Sequence, residues 1–255
     1  TGGDRINIHD IWAEDSTDLL SLNCMNNSKF TNIHGPWSRR KIEVACYSQN
    51  VVTDLVDGSC SAVTGNFEGI DVHEQSSDIY INRSKLTIPA TNTETGSNNV
   101  GVSLNGRDIF LVHCTIEHFG AGSGNPVALI YGNDFVGYGP DNIHITRTTL
   151  AGVAARTYHA IVGVDTVSEK PTNVLLAFLK TTGTPATGGI YWYKNTGLCT
   201  EVCNSLSVKR TVASTGANPI VIGSKVASAN LSGGLMEGTG APASSVERAG
   251  VGAIY

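Results

Sequence analysis

The chain has 255 residues, a formal charge of −5, only 15% charged residues and 29 glycines. That balance argues against a nucleic-acid partner, which needs a basic patch against phosphate, and against a helix-rich architecture. No apolar run nears the roughly 20 residues needed to cross a bilayer, so no membrane segment is expected.

Thr1-Gly-Gly-Asp carries no signal-peptide pattern, and strand-like alternation begins by Ile6. The chain therefore reads as an excised or processed piece of a longer polypeptide. From there one phrase recurs: a small polar residue, an apolar–x–apolar strand, then a polar patch. It reads Asp4-Arg-Ile-Asn-Ile-His, Ser28-Lys-Phe-Thr-Asn-Ile and Asn50-Val-Val, and is clearest at Asp78-Ile-Tyr-Ile-Asn, Asp108-Ile-Phe-Leu-Val and Asn142-Ile-His-Ile-Thr. Later copies are Asn173-Val-Leu-Leu-Ala, Asn204-Ser-Leu-Ser-Val and Ser228-Ala-Asn-Leu-Ser. The intervals, about 22 to 34 residues, suit one solenoid coil with loops of variable length.

A second strand follows at mid-coil. It reads Asp18-Leu-Leu-Ser-Leu-Asn, Lys41-Ile-Glu-Val-Ala, Gly69-Ile-Asp-Val-His and Asn99-Val-Gly-Val-Ser-Leu-Asn. It continues at Pro126-Val-Ala-Leu-Ile-Tyr, His159-Ala-Ile-Val-Gly-Val-Asp, Gly189-Ile-Tyr-Trp-Tyr and Pro219-Ile-Val-Ile. One such pair cannot bury its apolar face alone, but stacked copies share a continuous core. The pattern predicts an all-β fold, a single right-handed parallel β-helix of about nine coils over residues 1–231. Residues 232–255, rich in Gly, Ala and Ser, form a cap or the lead-in to a following region. A sandwich would lack the fixed two-phrase order, and a propeller needs longer units.

Stacking at about 4.8 Å turns matching positions into surface ladders. The outward ladder of the second strands reads Ser21, Glu43, Asp71, Ser103 and Leu129. The next reads Asn23, Ala45, His73, Asn105 and Tyr131, then Asp165 and Tyr193 farther along. Glu43 and Asp71 are thus expected on consecutive coils with His73 on the same face, a carboxylate pair of the kind glycoside hydrolysis uses. The rival reading is an ordinary solvated face. Asp15 and Asp18 belong to an acidic cluster with Asp10 and Glu14 beside Trp12, although Asp18 also suits a turn. Trp12 and Trp37 are candidate sugar platforms, and Arg39 and Arg40 candidate clamps for acidic sugar substituents. Arg39, Arg40 and Lys41 together read as a solvated surface patch. Glu68 and Glu74 flank the Asp71 strand as spare carboxylates, Asn105 joins the same groove, and Tyr191 and Tyr193 point outward if Trp192 points in.

Cys24 and Cys46 align one coil apart, within disulfide range but equally suited to reduced thiols. Cys199 and Cys203 could form a small disulfide or stay reduced. No metal site is expected, because no zinc-type spacing follows, and no cofactor motif is present. Two outward rungs are oily, Phe110 with Val112 and Leu175 with Ala177, which marks a contact surface for a loop or for identical chains around a threefold axis.

Gly69-Ile-Asp-Val-His-Glu-Gln-Ser-Ser-Asp-Ile-Tyr-Ile-Asn and Asp141-Asn-Ile-His-Ile-Thr-Arg make the chain resemble the β-helical body of phage tailspikes and capsule depolymerases. It also resembles the pectin-degrading enzymes of the pectin lyase-like fold. The resemblance covers about residues 4 to 232. It implies an extracellular or virion-borne homotrimer that binds a bacterial capsule or O-antigen polysaccharide and cleaves it with paired carboxylates. The polygalacturonase motifs are not reproduced; Ser16-Thr17-Asp18 and Gly69-Ile70-Asp71 echo them faintly. Hydrolysis by Glu43 and Asp71 is the leading expectation. The alternatives are a non-catalytic carbohydrate-binding spike and a lyase in which His73 is the base.

Overall fold

The computed structural model describes residues 3–226 apart from 15, 62–67, 95–98, 123–124, 164–167, 194–196 and 213–218. The expected cap at 232–255 and the final strand phrase at Ser228 lie outside the described residues. The chain forms a right-handed parallel β-helix. Each complete rung carries three strands, as in Glu68–Val72, Ser77–Asn82 and Lys85–Ile88, then Val100–Leu104, Arg107–Val112 and Thr115–His118. Successive rungs pair in parallel and in register. The two-phrase reading missed the third strand because it is short, as in Lys85–Ile88 and Thr149–Gly152, and follows the first phrase with almost no gap.

Seven of the mid-coil phrases and the short strand Thr211–Val212 build an 8-stranded sheet, and the other strands form one 15-stranded sheet bent at a corner. Strand Gln49–Ser59 runs through that corner, pairing with Ser77–Asn82 before it and Lys85–Ile88 after it. Left-handed residues stack there: Asp10, Asn32, Leu55, Arg83, His113, Arg147, Phe178, Cys203 and Gly223 all have positive φ. A second positive-φ column, Arg5, Asn27, Asn50, Asp78, Asp108, Asn142 and Asn173, opens the same strands. Asn and Asp tolerate this region because their short side chains satisfy local backbone and ladder hydrogen bonds. Asn50 Nδ2 donates to Asn27 Oδ1 at 2.9 Å and Asn142 Nδ2 to Asp108 Oδ1 at 2.5 Å. Asn50, Asp78, Asp108, Asn142 and Asn173 are the small polar residues that lead the first phrase, whereas in its first two copies the left-handed position falls on Arg5 and Asn27, next to the expected leaders Asp4 and Ser28.

Near the C-terminal end that signal fails. Leu198 precedes Cys199, whose strand Cys199–Val202 pairs with Val174–Ala177, so the first strand carries no Asn at its start. Asn204-Ser-Leu is the third strand of that rung, and Pro219-Ile-Val-Ile belongs to the first-strand column rather than the mid-coil one.

Inside, stacked Ile, Val and Leu side chains such as Ile42, Ile70, Val102, Ile79, Ile109 and Ile143 are fully buried. Trp37 is 0% exposed and forms part of this core, so it cannot be a sugar platform. Polar groups also enter the interior. Glu201 accepts from Trp192 Nε1 at 2.5 Å and from Arg210 Nε at 3.1 Å. Lys41 is fully buried and donates to the Lys85 carbonyl, with desolvation pushing its ammonium down to about 7. The Arg39–Lys41 run is therefore divided between surface and core rather than being one solvated patch. No helix among the described residues is long and apolar enough to cross a membrane.

Candidate acid–base site

The site grows from two strands of the 8-stranded sheet, Arg40–Ala45 and Glu68–Val72. Inward Ile42, Val44, Ile70 and Val72 fix their register and leave the alternate residues facing out. Glu43 pairs with Asp71, with Ser21 one rung before and Ser103 one rung after. The His73 amide donates to the Val44 carbonyl at 2.9 Å, and the Asn105 amide to the Val72 carbonyl at 2.9 Å, which sets the neighbouring column. Gly163 takes the level in that column expected for Asp165, since its amide donates to the Ile130 carbonyl at 2.8 Å. Asp165 lies outside the described residues, as does Asp15.

Arg40 is the hub. Its Nη1 pairs with Glu43 Oε1, its Nη2 lies 3.2 Å from Glu68 Oε2 and its Nε 3.3 Å from Asp71 Oδ2. Ser21 Oγ donates to Glu43 Oε2 at 2.6 Å. His73 Nε2 sits 2.8 Å from Asp71 Oδ2 and 3.8 Å from Glu43 Oε1, while its Nδ1 is 4.0 Å from Glu74 Oε2. The Asp71 and His73 atoms are close but not aligned for a directed hydrogen bond. Four carboxylates thus surround one guanidinium and one imidazole.

This crowding separates the protonation states. Burial, then the Asp71 charge and a hydrogen bond with Asp71, outweigh Arg40 and push Glu68 up to about 7. Burial also acts to raise Asp71, but its contact and charge interaction with His73, with help from Glu68 and Arg40, hold it below the usual carboxylate range. Contact with Asp71 raises His73 against the opposing effect of burial. A protonated acid and an ionised carboxylate therefore stand side by side near neutrality.

Access differs just as strongly. The Asp71 side chain is 3% exposed, Glu43 11%, Glu68 14% and His73 35%. Arg40, Glu68, Asp71, His73, Val100, Ser103, Leu129 and Tyr131 line a pocket of about 260 Å³. Burial raises the Tyr131 hydroxyl, with the Asp71 charge adding to it against hydrogen bonds to Asn105 and Ser103. Tyr131 stood in the outward ladder, but the sequence offered no sign that it faces the acids.

One ligand atom each from Glu43, Asp71 and His73 lies within 4.8 Å of the others, close enough to share a cation. Arg40 Nε already occupies the approach to Asp71 Oδ2, so an ion would have to displace the guanidinium.

The other expected site residues divide. Asn105 is buried and accepts from Asn133 Nδ2 at 2.8 Å. Asp18 is held by Arg39 through Nε at 3.0 Å and Nη2 at 2.5 Å, so these two neutralise each other. Trp12 lies in the 15-stranded sheet, opposite His34 and away from the acids. Tyr191 and Tyr193 do face outward on the 8-stranded sheet, with ring centroids 5.3 Å apart, while Trp192 is buried between them. Cys24, Cys46, Cys199 and Cys203 are all free thiols, and Cys199 is buried whereas Cys203 is exposed. Of the oily rungs, Phe110 stacks on Tyr80 at 4.7 Å and meets His144 edge-on at 5.0 Å, whereas Ala177 is buried.

No family model matches the chain, and no curated protein matches it. Among solved structures, the A-module of Mannuronan C-5 epimerase AlgE6 from Azotobacter vinelandii superposes with a TM-score of 0.47 at 15% sequence identity. The match covers 89% of this chain and 59% of that one, so the chain spans little more than half of that module.

Proposed function

We propose that the chain binds an acidic polysaccharide along the 8-stranded sheet and cleaves it by β-elimination, with His73 as the base. The observation that carries this reading is the contrast in access: half-exposed His73 stands over Asp71, whose carboxylate is buried beneath it. Asp71 facing Nε2 leaves Nδ1 as the nitrogen that meets substrate. In that role Nδ1 takes the proton α to a uronate carboxylate. The C–H electrons form a carbon–carbon double bond, the glycosidic C–O bond breaks, and Glu68 supplies the proton to the leaving oxygen. Arg40 is the nearest cation for the uronate carboxylate. The burial of Asp71 and the bonds of Ser21 and Arg40 to Glu43 turn the expected nucleophilic pair into groups that support the imidazole.

Hydrolysis is the second reading, favoured by Glu68 as an acid with a value near neutrality. A bacterial capsule or O-antigen is the proposed polymer, in an extracellular or virion-borne trimer. The stacked Tyr80 and Phe110 on the outer wall support the trimer as a subunit contact.

The test is incubation with uronate-containing capsules, O-antigens and pectins, following ultraviolet absorbance and reducing ends together. An unsaturated chromophore that disappears in His73→Ala supports elimination. Reducing ends without the chromophore, lost in Glu68→Gln, transfer the assignment to hydrolysis. Saturable binding with no release from any glycan makes the chain a non-catalytic spike.

A further inference from the structure

A second cleft lies on the other wall of the solenoid, at the first rungs of the 15-stranded sheet. Trp12, His34 and Asp57 occupy one outward column on consecutive rungs. With Pro36, Ser59 and the glycines at 35 and 58 they line a cavity of about 320 Å³, at the small end of ligand sites. Glycine is required in that floor by stacking, since a Cβ at Gly58 would lie 2.0 Å from the Gly35 carbonyl oxygen.

The walls differ in character. Trp12 is 73% exposed, with its ring 5.9 Å from that of His34 and tilted by 37°. Beside this apolar surface, on the following rungs, the polar groups are pre-set. Asn32 Nδ2 donates to Asp10 Oδ1, which turns the Asn32 amide oxygen toward His34 Nε2 at 2.7 Å. The tautomer that matches this bond carries its proton on Nε2, and in that tautomer Nδ1 is an acceptor. Asp57 Oδ1 accepts the Lys85 amide at 2.7 Å, which fixes that carboxylate and leaves Oδ2 3.9 Å from His34 Nδ1. Two acceptors on the rungs that follow an exposed indole in the same column match a vicinal pair of hydroxyls on a ring whose C–H face packs on Trp12. The carboxylates of Asp57 and Asp10 disfavour an anionic ring.

We propose that this cleft is a second saccharide site, specific for an uncharged pyranose with adjacent hydroxyls. It is separate from the acid–base groove and independent of any cleavage there. Trp37 and Trp192 are both 0% exposed, so quenching of tryptophan emission by acrylamide reports on Trp12. The experiment titrates the full chain with neutral gluco-, galacto- and manno-oligosaccharides and with an oligogalacturonate. Protection of Trp12 by a neutral sugar is expected, weakened about ten-fold or more in Asp57→Ala and in His34→Leu, each checked by circular dichroism. Protection is expected to persist in His73→Ala, which separates this site from the groove. No protection by any neutral sugar overturns the proposal. So does equal protection by the oligogalacturonate, or protection that follows protein concentration instead of sugar.

Discussion

The two outward faces of this solenoid are built on the same alternation and end in opposite environments. On the 8-stranded sheet, outward Glu43, Asp71 and Ser103 are buried, and strand Val100–Leu104 is buried at every position. On the wall that carries Ser77–Asn82 and Arg107–Val112, inward Ile79, Ile81, Ile109 and Leu111 are buried while Tyr80 and Phe110 remain partly open. The difference teaches that period-2 patterning fixes which side chains point out, while the coverage from flanking segments decides their chemistry. Desolvated acids interact and shift; exposed rings only stack.

Removing a rung of the core shared by both faces should have the largest effect. Leu111→Ala should lower stability by about 2–5 kcal/mol in denaturant unfolding. An effect comparable to a surface change would mean that the rungs do not act as one core.

Arg40→Met tests the covered face directly. It leaves Glu43, Glu68 and Asp71 without their guanidinium and should destabilise by about 3–5 kcal/mol, the range for breaking a buried ion pair. It should also move the Glu68 titration upward, because Arg40 now lowers it.

The pH dependence of stability sharpens the same contrast. Glu68 is raised from 4.5 to about 7, so its contribution is full below 4.5 and is lost as pH climbs to about 7. His73 is raised above 6.5, so its contribution is full below 6.5 and is lost as pH rises through its folded value. Asp71 is depressed, so its contribution holds above 3.8 and is lost in stronger acid. Buried His118, pushed down to about 3, and Lys41, pushed down to about 7, act in the opposite sense over about 3 to 6.5 and 7 to 10.5. The Glu68 contribution is therefore read as the difference between the parent chain and Glu68→Gln. The parent should lose stability relative to that variant as pH climbs from 4.5 to about 7, and a difference that stays constant over that interval would contradict the assignment.

On the open face Tyr80→Ala removes one stacked ring pair, about 0.5–1.5 kcal/mol beyond the partial burial of the ring, and should cost less than Leu111→Ala. In the strand-opening column Asn142→Ala places an alanine at φ 55° and should cost about 1–2 kcal/mol more than Asn142→Gly, which loses the same bond to Asp108 without the backbone strain.

The fold was legible wherever an Asn or Asp opened the first strand as its left-handed residue, from Asn50 to Asn173. It became misleading where Leu198 replaced that signal and the reading slipped to Asn204. The pairing of Glu43 with Asp71 could be read because inward Ile and Val residues bracket both. Burial could not be read, since it depends on segments outside the repeat. That is why Trp37 looked like a platform although it lies in the core, and why Lys41 looked like surface. The Arg40 hub was also hidden, because its partner Glu68 sits at the edge of its strand phrase and the ladder arithmetic did not reach it.

The two columns of left-handed residues have a consequence for how such a chain can vary. Asp78 to Arg83, Asp108 to His113 and Asn142 to Arg147 each span five positions, while the full repeat from one corner residue to the next ranges from 20 residues (Cys203 to Gly223) to 34 (His113 to Arg147). The corner segment works as a ruler and the remainder as slack. Insertions and deletions can then reshape the borders of the groove without disturbing the register beneath it, so one rigid frame can be refitted to new ligands by editing its margins alone.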